Sequence, residues 1–276
     1  MLKILLKMGI KENLEKFSIT PDPLKDQFFL TDEKIIEKTV KLADLKRGDI
    51  ILEIGAGTGN LTFKLAEIAK KVITFEIDPR FKPFLNKLPR NVEVHYENAW
   101  DYVQMHGKFK KKKIYNKVVS NLPYSFIEPF LHNLTFVEYD KVIILVPDRF
   151  LKKTKKWGIF GSFFEPKVLL KVPKEKFYPI PRSDSVLVEL VKLPDPIESK
   201  NLGRFLRRSM YQHESQLVKN SLMEGLIKYT KIIDGKKMTK NEARKIIEEK
   251  GIDKNLLESC PIGSEIYELV EEKFNN

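Results

Sequence analysis

Residues 49–78 constrain this chain more than any other stretch. Ile50-Ile51-Leu52-Glu53-Ile54 reads as a buried strand, Gly55, Gly57 and Gly59 as a turn, and Asn60 to about Lys70 as a helix. A second strand follows over Val72–Ile77, with Glu76 at its end. Strand, turn, helix and strand of these lengths make a βαβ unit, whose crossover brings turn and acid to the same edge of a parallel sheet. Closely spaced glycines let the backbone approach a ligand, and an acid about 20 residues further on accepts hydrogen bonds from ribose hydroxyls. The unit is built to hold a nucleoside.

The spacing narrows which one. A dinucleotide site uses Gly-x-Gly-x-x-Gly, whereas this turn is Gly-x-Gly-x-Gly, with Asn60 where the third glycine would stand and Glu53 just before. A pyrophosphate needs free N–H groups at the helix start and is repelled by a neighbouring carboxylate. The acid-first pattern suits a cationic ligand, which favours S-adenosylmethionine over a nicotinamide dinucleotide.

The 276 residues suffice for one large domain and a small one, and 42% are hydrophobic. No apolar run reaches the roughly 18 residues of a membrane span, and the opening Met1–Met8 is too short and too interrupted by lysine for a secretory signal. An amphipathic helix to Phe17 is expected there. The single Cys260 excludes an internal disulfide, and His95, His106, His132 and His213 lack metal-ligand spacing. The expectation is a cytoplasmic, metal-free monomer. A net charge of +12 suggests a polyanionic partner. Lysine-rich surfaces of heat-adapted proteins also carry such charge, but here it clusters at Lys108 and Lys110–Lys113, Lys152–Lys156, Arg204–Arg208 and Lys236–Lys240. That clustering favours nucleic acid.

Beyond the opening unit, strands are expected at Val92–Tyr96, Lys117–Ser120 and Lys141–Val146, with helices at Glu33–Ala43, Phe81–Lys87 and Phe126–Leu134. Alternation at this length predicts a doubly wound parallel sheet, with ligands beyond the carboxyl ends of its strands. Gly55, Glu76, Asn98 and Asn121 all stand at such ends. From Val168 to Val191 two strand-like runs flank Pro173 and Phe177-Tyr178-Pro179-Ile180-Pro181, and are expected to pair antiparallel. Pro194-Asp195-Pro196 marks a boundary, and beyond it helices are expected over 202–224, 226–233, 240–250 and 264–274. The organisation is an N-terminal helical extension (1–25), a catalytic domain (26–194) and a C-terminal helical domain (195–276).

Asn121-Leu122-Pro123-Tyr124, directly after a strand, carries the chemistry. An exocyclic amine on a base is a poor nucleophile because its lone pair is delocalised into the ring. The Asn121 side-chain carbonyl and the Leu122 backbone carbonyl can accept its two N–H bonds and free that pair. Pro123 fixes the loop and Tyr124 offers a stacking face. The alternative is an ordinary strand-end turn, where Asn and Pro are common. Phe177 would supply an aromatic wall opposite Tyr124, as an enzyme acting on a flipped base requires, or it belongs to a plain proline-rich turn. Trp157, Phe160, Phe163 and Phe164 read as core.

On these pieces the chain resembles the rRNA adenine N6-dimethyltransferase family, which includes small-subunit rRNA enzymes and the macrolide-resistance methyltransferases. The matching segments are Gln27–Leu30, Glu53–Thr62, Glu76–Asp78, Asn121–Tyr124 and Val172 through Phe177–Pro181 to Ser185. The likeness runs from Asp26 nearly to the C-terminus. It implies a seven-stranded Rossmann-like α/β methyltransferase sheet with a small all-helical C-terminal domain that grips RNA. It also implies an S-adenosylmethionine pocket lined by Gln27, Phe28, Leu30, Glu53, Gly55, Gly57, Gly59, Glu76, Ile77, Asn98, Ala99 and Asn121. Asn121 through Tyr124 and Phe177 would receive the adenine.

The chain also departs from the family. Phe28 stands where an amide or histidine is usual and Asn98 where an aspartate is, which predicts weaker cofactor binding. Gln212–Leu217 lacks the basic residues usual on that helix, so the chain reads as a divergent member or paralogue. The leading function is methyl transfer to the N6 amine of adenine in structured, ribosomal RNA, once or twice per base. The alternative is an RNA-binding ribosome-assembly factor that keeps the fold with little or no activity. A small-molecule methyltransferase fits the charge clusters poorly.

Overall fold

The computed structural model describes residues 9–108, 114–154, 158–261 and 264–275. They form two compact units, one comprising the chain to Phe150 with Lys167–Val191, the other Leu151–Pro166 with the residues from Lys192 onward. The basic loop at 109–113 and Trp157 lie outside the described residues.

In the first unit, helix α1 (Ile10–Lys16) leads through a short turn to β1 (Phe29–Leu30) and α2 (Glu33–Leu42). Asp32 caps α2, its carboxylate accepting from the Ile35 N–H, and Ile36, Thr39 and Val40 form the buried face. The central pattern then appears as β2 (Ile50–Ile54), α3 (Asn60–Ala66), β3 (Lys71–Phe75), β4 (Val92–His95), α4 (Ala99–Lys108), β5 (Lys117–Asn121), α5 (Ile127–Leu134) and β6 (Lys141–Pro147). β7 (Phe164–Val172), β8 (Phe177–Tyr178) and β9 (Ser185–Lys192) complete the strands. Helix α3 ends four residues before the expected Lys70, because the Lys70 and Lys71 N–H groups turn to the Asp49 carbonyl.

The seven-stranded sheet has the order β4-β3-β2-β5-β6-β9-β7, and β1 pairs with β8 in a separate antiparallel ladder. β4, β3, β2, β5 and β6 are parallel, while β9 runs antiparallel to β6. β7 and β9 are hydrogen-bonded neighbours, as their strand-like runs suggested. β2 and β6 are covered on both faces, so they read as near-continuous apolar runs. The chain proceeds from β2 outward through β3 and β4, then returns to the other side of β2 as β5. The strand order therefore reverses between β2 and β5, and a crevice opens beyond their carboxyl ends.

The amino ends of the same strands are clamped by a polar network. Lys117 Nζ lies 2.9 Å from Asp49 Oδ2, both side chains buried. Asn116 donates to Asp49 at 2.7 Å and to Asp140 at 2.8 Å, and accepts from the Ile50 N–H. This end holds the strands in register and leaves the opposite end to loops.

The second unit contains α6 (Leu202–Gln212), α7 (Val218–Asp234), α8 (Lys240–Glu249) and α9 (Ser264–Asn275), packed around Leu206, Met210, Leu222, Leu226, Ile247, Val270 and Phe274. Thr239 and Glu242 form a capping box on α8. The expected helix over 202–224 is two helices, broken at 213–217, and α7 continues without interruption through 226–233. No glycine or proline marks the break. It is set by packing: Gly225 of α7 faces Leu206 and Ser209 of α6 so closely that a Cβ there would lie 2.7 Å from a Leu206 methyl.

The expected basic cluster at Arg204–Arg208 is not a free cationic face. Arg207 is buried and donates to Ser162 Oγ, the Phe160 carbonyl and Glu271. Arg208 donates to the Ser162 carbonyl at 2.6 Å, and Arg204 pairs with Glu271. Arg207 and Arg208 satisfy backbone carbonyls of the 158–164 loop, which also seats Phe160, Phe163 and Phe164 in the core. Lys152, Lys236, Lys237 and Lys240 are exposed. Among the described residues no helix is long and apolar enough to cross a membrane.

Candidate active site

The crevice between β2 and β5 holds a cavity of about 510 Å³. The glycine turn forms one side. Gly55, Gly57 and Gly59 all have positive φ, which L side chains rarely adopt. At Gly55 a Cβ would sit 3.2 Å from Pro123 Cγ, so the turn and the Asn121–Tyr124 loop pack directly on one another. Ser120 ties the two strand ends, donating to the Ile54 carbonyl at 2.7 Å and accepting from its N–H.

The acids of the opening unit are buried and already engaged. Glu53 is 1% exposed, and its Oε2 accepts from Thr62 Oγ1 at 2.6 Å and from Thr74 Oγ1 at 2.8 Å. Burial pushes its carboxyl up to about 7, against the two hydroxyls that favour the charged form, and Glu76 adds like-charge repulsion. The two oxygens of Glu76 accept from the Gly57 and Asp78 N–H groups, each at 2.8 Å. Burial raises the Glu76 carboxyl as well, opposed by those N–H bonds. Each of its oxygens keeps a second lone pair for a ligand. Next to it, Ile77 is 64% exposed and offers an apolar face on the cavity wall.

Gln27 stitches the N-terminal segment to this acid corner. It donates to Asp78 at 2.8 Å and accepts from the Asp22 N–H. The Arg80 guanidinium, hydrogen-bonded to Asp78, holds that carboxyl well below the usual carboxylate range. Asp26 accepts from the Ser125 N–H at 2.9 Å and so links the same segment to the loop after β5. Sequence spacing gives no signal for these contacts, whose partners lie 51 and 99 residues apart. Ile10 of α1 also reaches the cavity, buried against Ala56, Phe81 and Phe84.

At β5 the Asn121 side chain donates to the Phe28 carbonyl at 3.1 Å. That bond fixes which end of the amide is nitrogen and leaves Oδ1 as an acceptor in a residue that lines the cavity. Leu122 is buried, its N–H donating to the Leu145 carbonyl. The Tyr124 ring stacks with Phe28, centroids 6.0 Å apart and planes 20° from parallel. Burial pushes its phenol up, and Ser185 beside the hydroxyl opposes that shift.

One expected site residue sits differently from its anticipated role. Phe177 is 3% exposed and packs in the core with Val172 and Leu187. Its pairing with β1 turns the ring inward, so the aromatic partner of Tyr124 is Phe28 rather than Phe177. Asn98 is exposed at the cavity wall, and its Oδ1 accepts from the Trp100 N–H at the start of α4. Gln27, Phe28, Leu30, Ile77 and Ala99 line the cavity as well, and among the described residues no group of acids, histidines or cysteines is arranged to hold a metal.

Residues 25–252 match the family model described as ribosomal RNA adenine dimethylase. A probable ribosomal RNA small subunit methyltransferase A of Pyrococcus abyssi is 32% identical, covering 76% of this chain and 79% of its own. The ribosomal RNA small subunit methyltransferase A of Thermotoga neapolitana is 30% identical, over 88% and 94% of the two chains. Among solved structures, a dimethyladenosine transferase from Plasmodium falciparum superposes with a TM-score of 0.57 at 22% identity, covering 90% of this chain and 97% of that one. The 23S rRNA methyltransferase ErmE gives 0.52 at 19%, covering 90% of this chain and all of the other. Both share the fold.

Proposed function

The chain belongs to the ribosomal RNA adenine dimethylase family, and from that premise we propose that it methylates the N6 amine of an adenine in ribosomal RNA, using S-adenosylmethionine. The small-subunit RNA named for the Pyrococcus and Thermotoga relatives is the first substrate to test. One observation carries the reading: the Phe28 carbonyl anchors the Asn121 amide, which keeps Oδ1 free as an acceptor beside the glycine turn.

The cavity residues fit the cofactor. Glu76 keeps lone pairs for ribose hydroxyls, Ile77 supports an adenine ring, and the backbone at Gly55 and at Gly57 approaches without a side chain in the way. Glu53 places a carboxyl under the same turn. When bound, S-adenosylmethionine supplies an electrophilic methyl group on its sulfonium. The protein's own task is orientation. Asn121 Oδ1 and the Leu122 carbonyl accept the two N–H bonds of the target amine, drawing its lone pair out of the ring. Tyr124, with Ser185 beside its hydroxyl, supports the base.

The reading is tested by mass spectrometry of digested ribosomal RNA from cells with and without the gene. Disappearance of a methylated adenosine at a defined site is expected; survival of every methyladenosine overturns the proposal. A second reading, an RNA-binding assembly factor with little activity, draws on the Phe28–Tyr124 stack, which leaves no gap for a base between the rings. Calorimetry separates the two, because an assembly factor of that kind needs no affinity for S-adenosylmethionine.

A further inference from the structure

Arg149 was not among the residues that spacing singled out, yet it stands at the mouth of the proposed base site. Its guanidinium lies over the Tyr124 ring, 5.4 Å from the centroid. The side chain is exposed, and no ion pair among the described residues holds it. Its backbone position, by contrast, is firmly set. Pro147, two residues earlier, pairs with Ser185, and the Asp148 N–H donates to the Asp184 carbonyl at 2.9 Å. Ser185 also stands beside the Tyr124 hydroxyl. One strand start therefore fixes both the ring and the root of the cation above it.

We propose that Arg149 is a phosphate-binding residue for the target nucleotide: its guanidinium takes the phosphodiester next to the adenosine that enters beside Tyr124. A cation resting on the half-buried Tyr124 ring gains only a modest attraction, whereas guanidinium and phosphate form charge-assisted, bidentate hydrogen bonds. The ring keeps the cation at the rim until the stronger partner arrives. The exchange also vacates the space over Tyr124 that an incoming base needs. Asp148 is adjacent but forms no ion pair with Arg149 among the described residues, so no carboxylate competes at contact distance. A long side chain that swings from ring to phosphate couples base entry to backbone capture without any motion of the main chain.

The inference rests on the RNA-methylating reading, and its test separates the two. Binding of an unmodified small-subunit ribosomal RNA transcript is measured against salt for the full chain and for Arg149→Gln, Arg149→Lys and Lys38→Gln. Lys38 is an exposed lysine on α2 and serves as the control for general charge loss. Arg149→Gln is expected to lower the slope of log affinity against log salt by about one. It is also expected to raise the KM for RNA about ten-fold, as for loss of one charge-assisted bond, with S-adenosylmethionine affinity kept. Arg149→Lys retains the slope, and Lys38→Gln leaves the KM for RNA at the wild-type value. An Arg149→Gln protein with wild-type slope and KM overturns the assignment, as does a Lys38→Gln protein that loses as much of both. Because the slope is a binding measurement, it answers the question even where wild-type turnover fails; that failure would count against the methyltransferase reading alone.

Discussion

Replacing Glu53 by Gln should make the ligand-free protein more stable above neutrality while leaving it nearly unchanged in mild acid. The carboxyl is buried and keeps its proton to about pH 7, whereas an ordinary glutamate releases it near 4.5. An acid raised in this way binds its proton more tightly folded than unfolded. Its stabilising contribution is therefore complete below 4.5 and falls as pH rises through 7. At about 1.4 kcal/mol per pH unit, that interval amounts to roughly 3 kcal/mol. Glutamine has the shape of the protonated acid and can accept the same Thr62 and Thr74 hydroxyls, so it escapes the loss. Urea unfolding of both proteins at pH 5 and pH 8 measures it, and the difference between them isolates Glu53 from Glu76 and Asp78, which titrate in both. The gap should open by roughly 3 kcal/mol towards pH 8. Parallel pH profiles for the two proteins would refute the argument that a desolvated carboxyl sits beneath the glycine turn.

Three further substitutions probe other parts of the site and its frame. Asn121→Ala should retain S-adenosylmethionine binding by calorimetry while turnover falls on the order of 10²–10³-fold, the usual consequence of removing one positioned polar group; equal turnover would remove the role given to that amide. Gly55→Ala introduces a Cβ at a φ of +83° and 3.2 Å from Pro123. It should destabilise the fold by about 1–3 kcal/mol and weaken cofactor binding, both read by thermal shift with and without cofactor. Lys117→Ala strands the buried Asp49 carboxylate and should cost about 3–5 kcal/mol at pH 7. The Asp49 carboxyl lies below its usual 3.8 despite burial, through hydrogen bonds from Asn116 and Lys117. Its stability is present above that value and lost below it, so the penalty in Lys117→Ala should shrink as pH falls below 3.8.

The parallel sheet was legible because each of its strands is a short apolar run bounded by turn residues, and alternation with helices leaves few topologies open. The C-terminal helices were legible in kind but not in division. Leu202 to Glu224 carries an unbroken helical pattern, and only the approach of Gly225 to Leu206 shows why the chain must turn at 213–217. Charge clustering misled at Arg204–Arg208 for a related reason. A linear cluster records how many cations are present, while the number of carbonyls and carboxylates they meet, here Ser162, Phe160 and Glu271, depends on the tertiary fold.

Within the site, what could be read were residues whose position alone implies a role: Gly55, Glu76 and Asn121 stand past strand ends, and the switch between β2 and β5 gathers them. Phe28 shows where reading by side-chain type stops. As a letter it marks the loss of a polar contact to the cofactor. In the fold its carbonyl, which any residue at that position would carry, orients Asn121, and its ring stacks on Tyr124. A departure from the family's pattern at this position therefore spares the hydrogen bond that orients Asn121, on which the proposed amine recognition rests. What it alters is the ring stacked on Tyr124. Phe28→His should for that reason leave the Asn121 geometry intact and change chiefly how the Tyr124 face is covered. A selective change in the KM for RNA, with the same cofactor affinity, would fit that division; loss of turnover as complete as in Asn121→Ala would contradict it.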